Sequence, residues 1–245
     1  MSLMSLLKSN AVLRGELAAA LPWPASARRR LEPVARPAVL GAAFDVLLRF
    51  ELQRRFGPLP MAVLAAETWL ALSDDMLTRE FMAFAAEERA AFLSGQGDPE
   101  CFVRTCLTLG QAEQALKSGT VWNPAAGAPL LDARQLLEWL ALVPDDFPCP
   151  AALGAEFGPG SQRLGGAEVD LAYVGGVIDI KAVQDNRPSR LMRAQLCAYL
   201  QLQAEHGFWL APAPLSAAVQ LLPPQVPRMA GLYFARHGEL QVLEF

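Results

Sequence analysis

The sequence predicts a mixed α/β (α+β) protein with a mixed central sheet flanked by helices, plus a helical N-terminal and inserted region. Two patterns predict it: helical spacing of apolar residues over 38–142, and short strand-like runs bounded by turn residues after 150. The predicted order after residue 150 is three strands, one helix and three strands, which indicates a sheet layered with helices. With 245 residues, 53% of them hydrophobic, the chain can bury a sizeable core.

Composition limits the function classes. The net charge of −4 gives no general basic footprint, so any nucleic-acid contact must come from a local patch. The four cysteines lack C-x2-C spacing and no secretory leader precedes them, which predicts reduced thiols, a cytoplasmic location and no iron–sulphur cluster. No apolar run reaches about 18 residues, so we expect no membrane-spanning helix.

The first 37 residues are predicted to be a short helix over 5–20 and a Pro- and Arg-rich linker. Arg28–Arg30 in this linker either meet phosphate or only keep a charged segment solvated. Residues 38–245 are assigned to one domain, which starts with a helix over 38–56 that ends at Gly57-Pro58. Asp45 lies at the edge of that helix's apolar face, as a border residue or as a group aimed at a site.

Residues 60–145 are predicted to form a helical insertion or cap without catalytic residues. The expected helices are 60–72, a second capped by Ser73-Asp74, and a third from Asp98-Pro99 to near Gly119. Asp132 is predicted to cap a further helix that reaches Leu142. A protein partner would contact the helical region 60–118.

Residues 150–245 are predicted to be a β-rich core. Its elements are a strand at 152–157, a hairpin of 167–174 and 177–183, a helix at 189–206, and strands at 217–222, 230–236 and 240–245. In the hairpin, a Gly175-Gly176 turn would pair Val174 with Val177, Ala172 with Asp179, and Asp170 with Lys181.

This hairpin concentrates charge on one face. Alternation along the strands predicts that Asp170, Asp179 and Lys181 share one face while Leu171, Tyr173, Ile178 and Ile180 share the other. Two carboxylates beside a lysine suit a hard divalent cation, with the lysine as a point charge. The alternative is a solvated strand face with an Asp170–Lys181 ion pair.

The helix over 189–206 carries Gln195 and Tyr199 four residues apart, on the side that faces the sheet. Inward polar groups need hydrogen-bond partners, which either the charged hairpin face or the local backbone would supply. Three arginines at the start of this helix either contact a DNA backbone or form a solvated face: Arg187, Arg190 and Arg193.

These residues together resemble the PD-(D/E)XK nuclease superfamily. Asp170 followed by Asp179-Ile180-Lys181 is similar to its D-x(n)-(D/E)-x-K signature, and Gln195 with Tyr199 is similar to the Q-x3-Y motif of its recombination-exonuclease branch. The segment from Gly41 to Asp45 resembles the first motif of that branch. The resemblance covers 38–56 and about 150–245.

The resemblance implies a restriction-endonuclease-like core and Mg²⁺- or Mn²⁺-dependent hydrolysis of DNA phosphodiesters in repair, recombination or phage defence. It implies catalytic roles for Asp170, Asp179, Lys181, Gln195 and Tyr199, and metal ligation by Asp170, Asp179, the Ile180 carbonyl and Asp45. An alternative is a nuclease-fold scaffold that binds nucleic acid or protein without catalysis. A third reading is a helical interaction module whose sheet only resembles a catalytic one.

Overall fold

A seven-stranded mixed sheet forms the centre of the protein, with strand order β5-β4-β1-β2-β3-β6-β7. The computed structural model describes residues 2–24, 27–164, 166–211, 213 and 216–245. Neighbouring strands in this sheet are antiparallel, except that β3 pairs in parallel with β6. The strands are β1 Ala152–Glu156, β2 Glu168–Tyr173, β3 Gly176–Lys181, β4 Phe208–Leu210, β5 Val219–Leu222, β6 Met229–Phe234 and β7 Glu239–Glu244.

Helices cover both faces of the sheet. They are α1 Leu3–Ser9, α2 Ala11–Ala20, α3 Pro37–Phe56, α4 Ala65–Ala71, α5 Met76–Leu93, α6 Pro99–Ser118, α7 Leu130–Ala141, α8 Pro159–Arg163 and α9 Arg190–His206. One hydrophobic core joins α3, α6 and α7 to Leu171 and Ile178, and a second joins α1, α2 and α9 to Ala172 and Val177. The predicted mixed α/β class with a helix-flanked mixed sheet is therefore confirmed.

The helical region shares the first of these cores with α3. Helices α3 and α6 cross closely at Gly110, where a Cβ would lie 2.8 Å from the Ala43 nitrogen and the Val39 oxygen. Only glycine permits this approach, because the neighbouring atoms belong to the backbone. The helical region thus packs directly on the helix that carries Asp45.

Several helix boundaries follow the predicted caps. Helix α3 spans Pro37–Phe56 as expected, and α6 begins after the Asp98 cap and ends at Gly119, which has a φ of 67°. Helix α9 spans Arg190–His206 with Ser189 as its cap, so the helix predicted at 189–206 is also confirmed. None of the described helices is both long enough and apolar enough to cross a membrane.

Other helix predictions were wrong. The helix over 5–20 divides at Asn10, whose side chain accepts the Leu13 N–H and starts α2. The helix over 60–72 shortens to Ala65–Ala71, because the Ala62 N–H donates to the Leu153 carbonyl (2.9 Å) and holds the chain extended beside β1. Asp132 lies inside the first turn of α7 and pairs with Arg36 instead of capping. Strand β4 and helix α8 were not predicted.

The hairpin prediction had the wrong turn and the wrong pairing. The turn is Val174-Gly175, and the pairs are Leu171 with Ile178, Ala172 with Val177 and Tyr173 with Gly176. Gly176 belongs to β3 and not to the turn. A Cβ at Gly176 would lie 2.8 Å from the Met229 oxygen, so the glycine permits β3 to lie close to β6. The pairing shifts by two residues, which keeps the alternation of faces.

Candidate functional site

The candidate site lies at the end of the β2–β3 hairpin away from its turn. Helix α3 passes this end at Gly41, where a Cβ would make an ordinary contact of 3.5 Å with the Ala182 Cβ, just past β3. Helix α9 reaches it from the other core through Gln195, which contacts Lys181. The three motifs of the sequence analysis therefore meet in one place.

Asp170 occupies the point where the hairpin ladder ends. Beyond the Leu171–Ile178 pair, the Ile180 N–H donates to the Asp170 carboxylate (2.6 Å). Burial, and then the nearby carboxylates of Asp179 and Asp45, raise the pKa of Asp170 well above its usual range. Lys181 and Arg49 act in the opposite direction, so Asp170 lies in the fields of two acids and two cations.

On one side of Asp170 is a chain of polar contacts that we name the lysine half: Asp179, Lys181, Gln195 and Tyr199. The Lys181 ammonium contacts the buried Asp179 carboxylate and donates to Gln195 Oε1 (3.1 Å). The Gln195 amide then donates to the Tyr199 hydroxyl (2.7 Å). Both ends of the amide are engaged, so the position of Lys181 is fixed. The alternative of an exposed Asp170–Lys181 ion pair is wrong, because Lys181 pairs with Asp179.

Lys181 and Tyr199 keep their protons at neutral pH. Burial acts to lower the pKa of Lys181, but the carboxylates of Asp179 and Asp170 outweigh it and raise that pKa. Burial also raises the pKa of Tyr199, which stacks on Phe157 with a centroid distance of 5.5 Å. The lysine half therefore presents a protonated ammonium and a neutral phenol.

On the other side of Asp170 is the arginine half: Asp45, Arg49 and Glu168. Arg49 is buried and forms a bidentate pair with Asp45, with Nε–Oδ1 at 3.1 Å and Nη2–Oδ2 at 2.8 Å. Its Nη2 also reaches Glu168 Oε1 at 3.0 Å. Asp45 thus reaches the site already paired, and its assignment as a metal ligand stays a prediction.

Sequence reasoning missed Arg49. The signal was its position four residues after Asp45 on a helix, a spacing that places opposite charges together. The sequence does not indicate that Gly154 of β1 makes room for this guanidinium. Gly154 has a φ of 67° and no Cβ, which leaves space for the Arg49 side chain. A Cβ at Gly154 would lie 1.9 Å from Arg49 Nη1.

A cavity of about 200 Å³ opens beside Asp170 and the arginine half. Helices α4 and α6 form its other wall through Ala65, Ala66, Glu113 and Lys117. Glu113 and Lys117 form an ion pair at 2.9 Å, and Glu113 also accepts the Ala66 N–H at 3.1 Å. The helical region therefore contributes a wall to the candidate site.

The donor chemistry of the site fits a hard divalent cation. Within the described residues, no group of three or more His, Cys, Asp or Glu side chains is arranged to hold a metal ion. The donors that the family resemblance predicts here, apart from Asp45, are Asp170, Asp179 and the Ile180 carbonyl. Asp45, Glu168, Asp170 and Asp179 lie with Arg49 and Lys181, and these six groups taken by themselves carry a formal charge of −2 when all are ionised. One divalent cation would balance that charge.

The predicted substrate-binding arginines lie on the segment between β3 and α9 and at the start of α9. Arg187 and Arg190 are exposed, whereas Arg193 is half-buried. The N-terminal linker runs beside this segment, since the Leu31 N–H donates to the Gln184 carbonyl (2.9 Å). The Arg29 N–H likewise donates to Asn186 Oδ1 (2.7 Å). Arg28–Arg30 are thereby brought alongside the predicted arginines.

Comparison with known proteins leaves the family open. No protein-family model matches this chain, and no match was found among curated proteins or solved structures. The fold class is therefore established by the architecture itself, and function is inferred from the site.

Proposed function

We propose that this protein is a divalent-metal-dependent nuclease that hydrolyses phosphodiester bonds of DNA. The observation that carries the proposal is the convergence of Asp170, Asp179 and Lys181 at one hairpin end, with Lys181 held by Gln195 and Tyr199. These residues come from two strands and a helix, and they are the ones that resemble the PD-(D/E)XK and Q-x3-Y motifs.

Each residue has a role that its contacts support. Asp170 and Asp179, with the Ile180 carbonyl, would hold Mg²⁺ or Mn²⁺, which when bound stabilises negative charge on the phosphate and activates water. Lys181 stays protonated and directs its charge to the phosphate. Gln195 and Tyr199 hold the ammonium in place, so its orientation costs nothing when substrate binds.

An exposed group of arginines supports DNA as the substrate. We name Arg28–Arg30, Arg187 and Arg190 the arginine strip. Of these, Arg28 pairs with Asp185 (2.7 Å), and the others form no salt bridge within the described residues. In a chain with a net charge of −4, such a strip is the local patch that phosphates require. We assign the strip, with Arg193 beside it, to the DNA backbone.

Cleavage assays test this proposal. Linear duplex, circular duplex and single-stranded DNA are incubated with the purified protein and Mn²⁺ or Mg²⁺, or with EDTA. We expect metal-dependent cleavage that falls at least about 100-fold in Asp179→Asn and in Lys181→Ala. Lys8→Ala, an exposed change on α1, is the matched control and should cleave normally. Equal cleavage by all four proteins, or no cleavage by the wild type, would overturn the proposal.

One observation favours a second candidate, a non-catalytic scaffold that binds nucleic acid. Two of the predicted metal-binding acids already have cationic partners, since Asp45 pairs with Arg49 and Asp179 with Lys181. A scaffold would bind DNA with a marked salt dependence, yet bind no Mn²⁺ and leave the DNA intact. Mn²⁺ binding by the wild type, abolished in Asp179→Asn, would exclude this candidate.

A further inference from the structure

We propose that Arg49 is a built-in cation that replaces a second metal ion, so that the site takes one divalent cation and not two. This inference rests on the proposed function for the identity of the site. It assigns a positioning role to a residue that lies outside the recognised motifs.

The contacts show that Arg49 engages the acids on its side of Asp170. Its guanidinium takes both oxygens of Asp45 and one oxygen of Glu168, at distances between 2.8 and 3.1 Å. Only 3% of the Arg49 side chain is exposed, whereas 22% of the Asp45 side chain and 48% of the Glu168 side chain are exposed. The bidentate pair with Asp45 is the stronger of the two contacts, because two parallel charge-assisted hydrogen bonds fix its geometry. Asp45 is therefore committed to the guanidinium.

The space around the guanidinium is shaped to hold it. Nη1 faces Gly154, and a Cβ at that position would lie 1.9 Å from it. The same Nη1 is buried without a hydrogen-bond partner among the described residues, and Arg49 lines the cavity beside Asp170. The guanidinium thus fills the position between Asp45 and Glu168 where oxygen ligands from α3 and β2 would otherwise face each other.

The charges decide how many metal ions the site accepts. The four acids and two cations leave a formal charge of −2. One divalent ion brings the cluster to neutrality, whereas two would leave it at +2, and excess charge beside the buried Arg49 and Asp179 is penalised. Without Arg49 the cluster has a charge of −3, and its arginine half exposes two free carboxylates beside Asp170. That arrangement favours a second ion.

Counting bound Mn²⁺ tests the inference. Equilibrium dialysis, with free Mn²⁺ measured by electron paramagnetic resonance, is applied to the wild type, Arg49→Met and Arg49→Lys. We expect one ion per chain for the wild type and for Arg49→Lys, and two for Arg49→Met. A gain of metal binding on loss of a side chain is not what a purely structural ion pair would produce. A folded Arg49→Met that binds one ion with unchanged affinity would overturn the inference.

Arg55→Met is the matched control. Arg55 lies on the same helix and pairs with Glu51 at 2.7 Å, so it also forms a shielded ion pair of α3. That pair is outside the candidate site, since Arg55 also donates to the Pro144 carbonyl. Arg55→Met should bind one ion, as the wild type does. A second ion in this control would also contradict the inference.

Thermal unfolding tests the inference even if Arg49→Met is less stable than the wild type. Addition of 1 mM Mn²⁺ should raise the Tm of Arg49→Met by about 5 °C more than that of the wild type, because an extra ion binds the folded state only. If Arg49→Met is unfolded without metal, Mn²⁺ should restore its circular dichroism spectrum. Failure of Mn²⁺ to do either would count against the inference.

The outcomes separate this inference from the proposed function. A wild type that cleaves with one ion, together with an Arg49→Met variant that also binds one, removes the inference and leaves the nuclease. A wild type that binds one ion but cleaves nothing, together with an Arg49→Met variant that binds two, removes the nuclease and leaves Arg49 as the built-in cation.

Discussion

The two halves of the candidate site hold their cations differently. In the lysine half, the ammonium of Lys181 contacts one carboxylate and one amide, and 17% of its side chain remains exposed. In the arginine half, the guanidinium of Arg49 engages two carboxylates and only 3% of its side chain is exposed. The ammonium shares its charge with one carboxylate and is otherwise bound by a neutral amide, whereas the guanidinium is shared by two carboxylates. The comparison assigns chemistry to the lysine half and charge balance to the arginine half.

The largest expected effect is on cleavage and separates the two halves directly. Lys181→Met should lower kcat by about 1000-fold, because it removes the charge that faces the phosphate. Asp45→Asn should lower kcat by less than about tenfold, because Asp45 serves Arg49. Steady-state cleavage of a labelled duplex in Mn²⁺ measures both. Equal losses would make Asp45 part of the catalytic set.

The second prediction concerns how firmly Gly154 holds the arginine half. Gly154→Ala should lower the free energy of unfolding by about 3 kcal/mol, because the new methyl group displaces the buried guanidinium from its acids. Gly119→Ala is the control, since Gly119 has the same φ (67°), lies in the left-handed helical region and has open space around it. It should cost about 1 kcal/mol. Urea denaturation gives both values, and equal costs would show that Arg49 moves aside freely.

The third prediction tests how tightly the lysine half is held. Tyr199→Phe removes the acceptor of the Gln195 amide and loosens Lys181, so cleavage should slow about tenfold. Tyr173→Phe is the matched change, because the Tyr173 hydroxyl also makes one hydrogen bond, to the Pro148 carbonyl at 3.0 Å, in the other core. Each variant should lose about 1 kcal/mol of stability. A similar slowing in Tyr173→Phe would assign the effect to stability alone.

The smallest effect concerns Asp170, which lies between the halves. Its pKa is raised in the folded state, so the folded protein binds more protons than the unfolded chain above the ordinary carboxyl pKa. Asp170 therefore destabilises the metal-free fold as pH rises from that value. In EDTA, Asp170→Asn should be more stable than the wild type at pH 7, and the difference should shrink towards pH 4. Urea unfolding at both pH values measures it, and a difference independent of pH would contradict the assignment.

Much of the site's composition could be predicted from sequence because it follows from local periodicity. Strand alternation placed Asp170, Asp179 and Lys181 on one face even though the turn was assigned one residue too late. A two-residue change in pairing preserves which side each residue faces. Helical spacing likewise placed Gln195 and Tyr199 together, and the structure joins them by a hydrogen bond.

The pairing partners could not be predicted, because they depend on contacts between distant segments. Lys181 bonds to Asp179 and Gln195, and no local rule selects these over Asp170. Gly176 looked like a turn residue, but its close contact with Met229, 53 positions later in the chain, places it in a strand. Strand β4 has three residues, too few for a periodic pattern to be recognised.

The sequence by itself determined the fold class, the limits of α3, α6 and α9, and the side of each element on which the candidate residues lie. These properties depend on periods of 3.6 and 2 residues, which the chain displays locally. Only the tertiary structure decided that Arg49, already beside Asp45 by helical spacing, also contacts Glu168. That contact requires α3, β1 and β2 to meet with a glycine at position 154, and such a meeting of distant segments leaves no periodic trace in the sequence.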